Sequence, residues 1–389
     1  LRMMGTKAFK EVQRDIVMNE GTRLYVITSD LYEPRTGKIS LGVGVDSSSG
    51  FFGSVGFGEN NFRGLGQKIN LNVMAGTGIL MNDNSVVRRA NWQAELSFLE
   101  PHFKKENQSL GFRAFMRSFG SYQVPLAVEK RYGGDVTLAR VFEKYPRLTG
   151  SISLGAEEVD LSEGDYTRIK NMFAAHGLSM SQRNKQLEGG FYLRAIPALV
   201  YDTRDNATNP RHGVVARISL EEALAVTGAD SYGKLEGVVK KYIPAGRKSS
   251  FVVTARAGGT LHGDVPEFAM YNLGGPYTIR GFNISEVGMG DGYMLGTLEY
   301  RTPIPFIDRL TSNAFINNVR LAGFIDAGKV FNSSLTDDLY DRPGYAITAG
   351  VGLRIFIPGL GPVNLDYGFP LTNTHGSRSN GFFTFGMGD

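Results

Sequence analysis

The decapeptide GGPYTIRGFN, Gly274 to Asn283, sets a single cation, Arg280, among glycines, aromatics and a proline, in a stretch without regular period. A guanidinium is planar, always charged and forked, so the chemistry open to it is two-point pairing with carboxylates. Two carboxylates follow in the next alternating runs. In YMLGTLEYRTP, Met294, Gly296, Leu298 and Tyr300 share one face, which leaves Leu295, Thr297, Glu299 and Arg301 on the other. In VRLAGFIDAGKV, Val319, Leu321, Gly323, Ile325 and Ala327 form the apolar face, opposite Arg320, Ala322, Phe324 and Asp326. The expectation is that the loop folds back and docks Arg280 on Glu299 and Asp326; the alternative is a solvated loop arginine. A surface pair contributes only about 0–1 kcal/mol, whereas breaking one partner of a buried set costs about 3–5 kcal/mol.

Other chemistry finds little support. The five histidines, His102, His176, His212, His262 and His375, are scattered and form no H-E-x-x-H spacing. GFGENNFRGLG, Gly56 to Gly66, lacks the Lys-Ser/Thr ending of a phosphate loop and runs on into a strand pattern. No G-x-S-x-G elbow occurs. The expectation is a protein that is not an enzyme and holds no metal or cofactor, with an active site assembled from distant strands as the alternative. A formal charge of +4 from 42 basic and 38 acidic side chains argues against a nucleic-acid partner.

The elements that must position these groups are strands. From Gly37 the apolar period is two: in KISLGVGVD, Ile39, Leu41, Val43 and Val45 alternate with Ser40, Gly42, Gly44 and Asp46. Such runs predict strands at 37–47, 50–58, 66–79, 86–99, 107–119, 132–144, 147–161, 189–203, 213–226, 231–243, 249–262, 292–302, 318–331, 345–357, 361–370 and 380–389. An even number of strands long enough to cross a bilayer when tilted matches an all-β, sixteen-stranded antiparallel transmembrane β-barrel. A soluble sandwich would use strands nearer ~5–6 residues. Fifty glycines, no cysteine, 25 Phe and 17 Tyr fit tightly turned strands with aromatic faces. In VVARISLEE and ITAGVGLRI the same alternation leaves Arg217, Glu221 and Arg354 inside. Two connections are long, 162–188 and 263–291, and the second carries Arg280.

Residues 1–36 read differently: Phe9, Val12 and Ile16 at helical spacing, then YEPRTG, predict a helix ending a small soluble module. The chain opens at Leu1 without a signal peptide and reads as a mature fragment.

On these residues the chain resembles the outer-membrane-protein-85 superfamily, and within it the BamA-type barrel-assembly factors. GGPYTIRGFN resembles the V-R-G-F/Y loop motif, with Ile279 for valine before Arg280, Gly281 and Phe282. RTGKISLGVGVDSSSGFFGSVGFGENNFRGLGQKINLN is similar to the family's first barrel hairpins. VYDTRDNATNPRHG, GTLEYRTPIP, GFIDAGKVF and GPVNLDYGFPL resemble further motifs in order.

The resemblance implies an outer-membrane location, in a Gram-negative-type bacterium rather than a plastid envelope. Residues 1–36 would be the end of the last POTRA domain and its linker, and 37–389 the barrel. It implies contacts of Arg280 with Glu299 and Asp326, and a lateral gate between first and last strands. The gate residues would be Ile39, Ser40, Leu41 and Gly42 on one side and Phe383, Thr384, Phe385, Gly386 and Gly388 on the other, with Ser40 and Thr384 close enough to cross-link. The implied function is insertion of β-barrel proteins by β-augmentation at that gate, with unfolded outer-membrane proteins, membrane lipids and accessory assembly subunits as partners. A protein transporter of the same superfamily, for two-partner secretion or plastid preprotein import, and a passive porin are the alternatives.

Overall fold

Alternating apolar and small or polar residues leave one face of every strand needing an apolar environment, and closing the sheet on itself satisfies every backbone edge at once. The structure, a computed structural model, describes residues 11–19, 24–32, 36–80, 86, 89–124, 127–162, 171, 174–175, 177, 189–206, 210–246, 248–304, 319–333, 337, 342–357, 361–372 and 381–387. Two strands, β1 (Glu11–Asn19) and β2 (Leu24–Tyr32), form an antiparallel hairpin, followed by β3 (Gly37–Asp46), β4 (Gly50–Phe62), β5 (Gln67–Gly76), β6 (Asn91–Glu100), β7 (Gln108–Gly120) and β8 (Val128–Phe142). Next come β9 (Tyr145–Ser162), β10 (Gly190–Asp202), β11 (Gly213–Ala225), β12 (Tyr232–Ala245), β13 (Ser249–Gly263), and the three-residue β14 (Tyr271–Leu273). The last five are β15 (Gly288–Pro303), β16 (Arg320–Ser333), β17 (Tyr345–Ile357), β18 (Gly361–Pro370) and β19 (Phe382–Met387).

From β3 onward the strands pair in chain order and close into one barrel. The sixteen long strands are the sixteen predicted from alternation, with shifted ends. Thus β6 starts at Asn91 rather than 86, and β8 starts at Val128, where Val128 and Glu129 pair with Ser162 and Leu161. β13 pairs directly with β15, from Ser250↔Arg301 to Gly259↔Gly292, so the connection 264–287 emerges between two adjacent strands, returning to the wall only where β14 pairs with residues 288–290. Strands alternate in direction, which puts this connection at the same barrel end as the β3–β4 turn.

The interior and exterior are inverted relative to a soluble protein. Outward Leu199 and Leu298 are 45% and 46% exposed, among a band of similar residues that includes Val55, Leu71, Phe112, Leu154 and Ile325. Such an apolar belt is stable facing lipid. Charged groups lie buried in the lumen instead, among them Glu129, Glu157, Glu299, Asp326, Arg354 and Asp366.

The N-terminal expectation fails: Glu11–Asn19 and Leu24–Tyr32 pair as antiparallel strands, from Glu11↔Tyr32 to Asn19↔Leu24, and not as a helix, while Phe9 lies outside the described residues. Periodicity over one short run misled, because β-branched residues crowd both arms: Val12, Ile16 and Val17 in one, and Val26, Ile27 and Thr28 in the other. Most of the 162–188 connection lies outside the described residues.

Candidate functional site

The connection 264–287 enters the lumen and carries its own apolar seat. Leu273, Ile279, Phe282 and Val287 are buried with Tyr293 and Leu295 of β15, Val330 of β16 and Ala346 of β17. At its tip Gly281, with φ of 89°, lies on the backbone of Gly368 in β18. A Cβ on Gly281 would stand 2.9 Å from the Gly368 carbonyl oxygen, and one on Gly368 would stand 2.8 Å from that of Arg280. Only glycine at both positions permits this approach.

The approach delivers Arg280, 6% exposed, between two wall strands. Its Nε and Nη2 donate to Asp326 Oδ2 and Oδ1 at 2.8 and 2.7 Å, its Nη1 to Glu299 Oε2 at 2.6 Å, and its backbone N–H to Asp326 Oδ2 at 3.2 Å. The guanidinium carbon stands 3.5 Å from the centroid of the Phe324 ring, adding a cation–π contact. The structure therefore brings together Arg280, Glu299 and Asp326, with Ile279 and Phe282 as apolar anchors on either side.

The set is larger than sequence indicated. Arg354 of β17 donates to Glu299 through Nε at 3.0 Å and Nη2 at 2.6 Å, and to Asp366 of β18 through Nη1 at 2.8 Å. Arg301 Nε donates to Glu299 Oε1 at 2.6 Å, and Arg280 Nη1 lies 3.7 Å from Asp366. Three guanidiniums thus face three carboxylates across four strands and the loop. Balance matters, because each charge has left bulk water and is stable only while partnered. The signal that could have found Asp366 is the alternation in GPVNLDYGFPL, which sets it on one face with Asn364 and Gly368. The stagger between strands, which decides who meets whom, is not written in that alternation.

A second network anchors the start of the loop, where Glu267–Ala269 form a 3-10 turn. Arg131 Nη2 donates to the Phe268 carbonyl at 3.1 Å, and Lys234 Nζ to that of Ala269 at 2.8 Å. Arg131 pairs with Glu129 and Glu157, while Arg194 bridges Glu157 and Glu221. Of these charges, alternation in the sequence had placed only Glu221 inside, and nothing in it revealed that the set holds a loop.

The seam between β19 and β3 is joined at Ser47 and Phe385. The Ser47 N–H donates to the Phe385 carbonyl at 3.1 Å, and the Phe385 N–H to Ser47 Oγ at 2.9 Å. On its other edge β3 pairs fully with β4, from Gly37↔Glu59 to Asp46↔Gly50. Residues 37–41 of β3 are exposed on both faces, and Ile39, Leu41 and Val43 reach 74%, 80% and 80%, well above outward residues elsewhere in the wall. Gly42 lies in the same stretch. Across the seam Phe383 faces outward and Thr384 is buried opposite Asp366. Gly388 lies outside the described residues. The anticipated match of Ser40 with Thr384 is not the observed one: contact of Ser47 with Phe385 in antiparallel strands leaves Ser40 seven residues farther along the edge. Alternation fixes facing, and it does not fix this register.

A closed antiparallel wall, apolar outside and ionic within, with a loop folded into its lumen, defines a transmembrane β-barrel of the outer-membrane type. A model of the Omp85 superfamily domain matches residues 61–389, and the chain belongs to that superfamily. It is similar to the mouse sorting and assembly machinery component 50 homolog, 28% identical over 211 residues, covering 49% of this chain and 44% of that protein. It is also similar to rice chloroplastic TOC75, 20% identical over 369 residues, covering 86% of this chain and 42% of that protein. The chain thus spans less than half the length of these relatives. Among solved structures, BamA from Haemophilus ducreyi lacking POTRA domains 1–3 shares the fold with a TM-score of 0.73 at 23% identity, over 99% of this chain and 76% of that one. CdiB from Acinetobacter baumannii shares it with a TM-score of 0.63 at 15% identity, over 98% of this chain and 66% of that one. An outer membrane is the location this family and fold define.

Proposed function

We propose that the chain is the barrel of an insertase that folds β-barrel proteins into the outer membrane of a Gram-negative-type bacterium. The supporting observation is the seam itself: β3 is fully laddered to β4 on one side, and on the other, among the described residues, hydrogen bonds join its end to β19 at Ser47 and Phe385. A free strand edge is a template for pairing, so a client's strand adds to β3 by β-augmentation. Gly386 beside this contact weakens the pairing of β19 and eases displacement. Completed hydrogen bonds and the transfer of apolar strand faces into lipid supply the driving force, without nucleotide or bond-making chemistry. Arg280, Glu299 and Asp326 tie the loop to β15 and β16, on the arc of wall that continues through β17 and β18 to this seam.

In this reading the clients are unfolded outer-membrane proteins, lipids form the receiving phase, and accessory subunits deliver clients. The β1–β2 hairpin is the end of a POTRA module. The superfamily match and the likeness to TOC75 support a second reading, a protein transporter of the same superfamily.

The test is a disulfide between Ser47→Cys and Phe385→Cys in the protein in liposomes. The expected result is that oxidation abolishes acceleration of client barrel folding and reduction restores it. Undiminished acceleration with the seam locked would overturn the gate. Large, steady conductance without any acceleration would identify a porin instead.

A further inference from the structure

We propose that the hydrogen bond from the Tyr277 hydroxyl to Asp46 is a latch coupling the seat of the lumenal loop to closure of the β3–β19 seam. Tyr277 is then a positioning residue for the gate, and the inference rests on the seam reading above.

The bond spans 231 residues of chain and measures 2.7 Å. Asp46 is the buried last residue of β3 and works in two directions. Its Oδ1 accepts the N–H groups of Ser48 and Ser49 at 2.8 and 3.2 Å, which shapes the β3–β4 turn, while its Oδ2 accepts from Tyr277. The turn so shaped presents Ser47, which makes two hydrogen bonds with Phe385. One carboxylate therefore joins the loop to the backbone that closes the seam. The Tyr122 hydroxyl, bonded to the Ser48 carbonyl at 2.9 Å, steadies the turn from the β7–β8 side.

The loop also covers the other half of the seam. A Cβ on Gly386 of β19 would lie 3.3 Å from Tyr277 Cε1 and 3.5 Å from Pro276 Cβ, so Pro276 and Tyr277 rest on β19 while Tyr277 reaches β3. Arg280, three residues on, is meanwhile fixed to β15 and β16 by several charged bonds. The loop is held firmly at Arg280, and at the seam the Tyr277 hydroxyl bonds β3 while Ile284 packs in one cluster with Phe382 of β19. Separation of β3 from β19 must break that hydroxyl's bond or drag the loop, and a loop that shifts its tip removes the brace on Asp46.

Because the chain has no cysteine, labels can be placed cleanly. Spin labels at Val43→Cys and Phe383→Cys, both outward and exposed, report the seam in liposomes without any client. Tyr277→Phe is expected to raise the ratio of wide to narrow distances roughly tenfold, the scale of losing one hydrogen bond to a charged acceptor. Heat-modifiable gel mobility will show that the barrel remains folded. In an Asp46→Ala background, where the hydroxyl has lost its acceptor, adding Tyr277→Phe should change the distribution no further. Wild-type distances in a folded Tyr277→Phe barrel, or additive effects of the two substitutions, would overturn the latch. Unchanged distances with insertion still blocked by the Ser47–Phe385 disulfide would remove the latch and leave the insertase. Widened distances with insertion insensitive to that disulfide would remove the insertase and leave the latch as a property of the barrel.

Discussion

Gly281 and Gly368 touch backbone to backbone, and neither has room for a methyl group. Loop and wall are therefore in register at a single point, one residue from Arg280. Gly281→Ala, which also forces alanine to a φ near 89°, should lift the tip and pull Arg280 off Asp326. Limited proteolysis within 264–287 is the measurement; cleavage no faster than wild type would contradict this account.

Replacing the cation should cost more than removing a surface pair. Arg280→Ala leaves Asp326 and Glu299 short of a buried partner, an expected loss of about 3–5 kcal/mol. It should appear as a lower temperature for the heat-modified shift in gel mobility. Arg280→Lys should recover only part, since an ammonium cannot bond both Asp326 oxygens while also reaching Glu299. Full recovery by lysine would mean that charge alone, without the fork, holds the loop.

The second anchor predicts a separable phenotype. Arg131→Ala removes the donor to Phe268 and strands Glu129, whereas Lys234→Met removes the donor to Ala269 and keeps the apolar stem. Both should raise hydrogen exchange at 267–273 before any change around Arg280. Simultaneous loosening of the two regions would show one cooperative loop in place of two anchors.

How much of this was legible beforehand differs by element. Alternation located all sixteen wall strands and put Glu299 and Asp326 on the lumen side, because facing has a period of two and is written locally. It did not foresee Arg354 and Asp366 joining them. Their meeting depends on the stagger of β17 and β18, a property of the closed barrel. The same blindness set Ser40 against Thr384 when Ser47 meets Phe385. Short apolar runs misled in the other direction at Val12 and Ile16, where helical spacing described a hairpin.

A pH effect is expected at the opposite barrel end, in the turn between β10 and β11. Asp205 Oδ1 accepts N–H bonds from Arg211, His212 and Asn206 at 3.0, 3.2 and 2.9 Å, and the Arg211 donor foremost lowers its carboxyl below the ordinary range. A depressed folded value means the stabilisation is complete above the unfolded value and is lost as pH falls through the folded one. Hydrogen exchange at 203–206 and 210–212 should thus rise on acidification past the ordinary carboxylate range. Asp205→Asn should flatten that profile; an unchanged acid response in the variant would assign it to another group.

The inverted distribution of charge has a consequence for how such a wall can change over generations. Outward positions such as Leu199, Leu298 and Ile325 answer only to hydrocarbon, so one apolar residue substitutes for another without consulting its neighbours. Glu299 answers to Arg280, Arg301 and Arg354 together, and Asp366 to two of the same three. The exterior drifts letter by letter, whereas the lumen is inherited as a sentence.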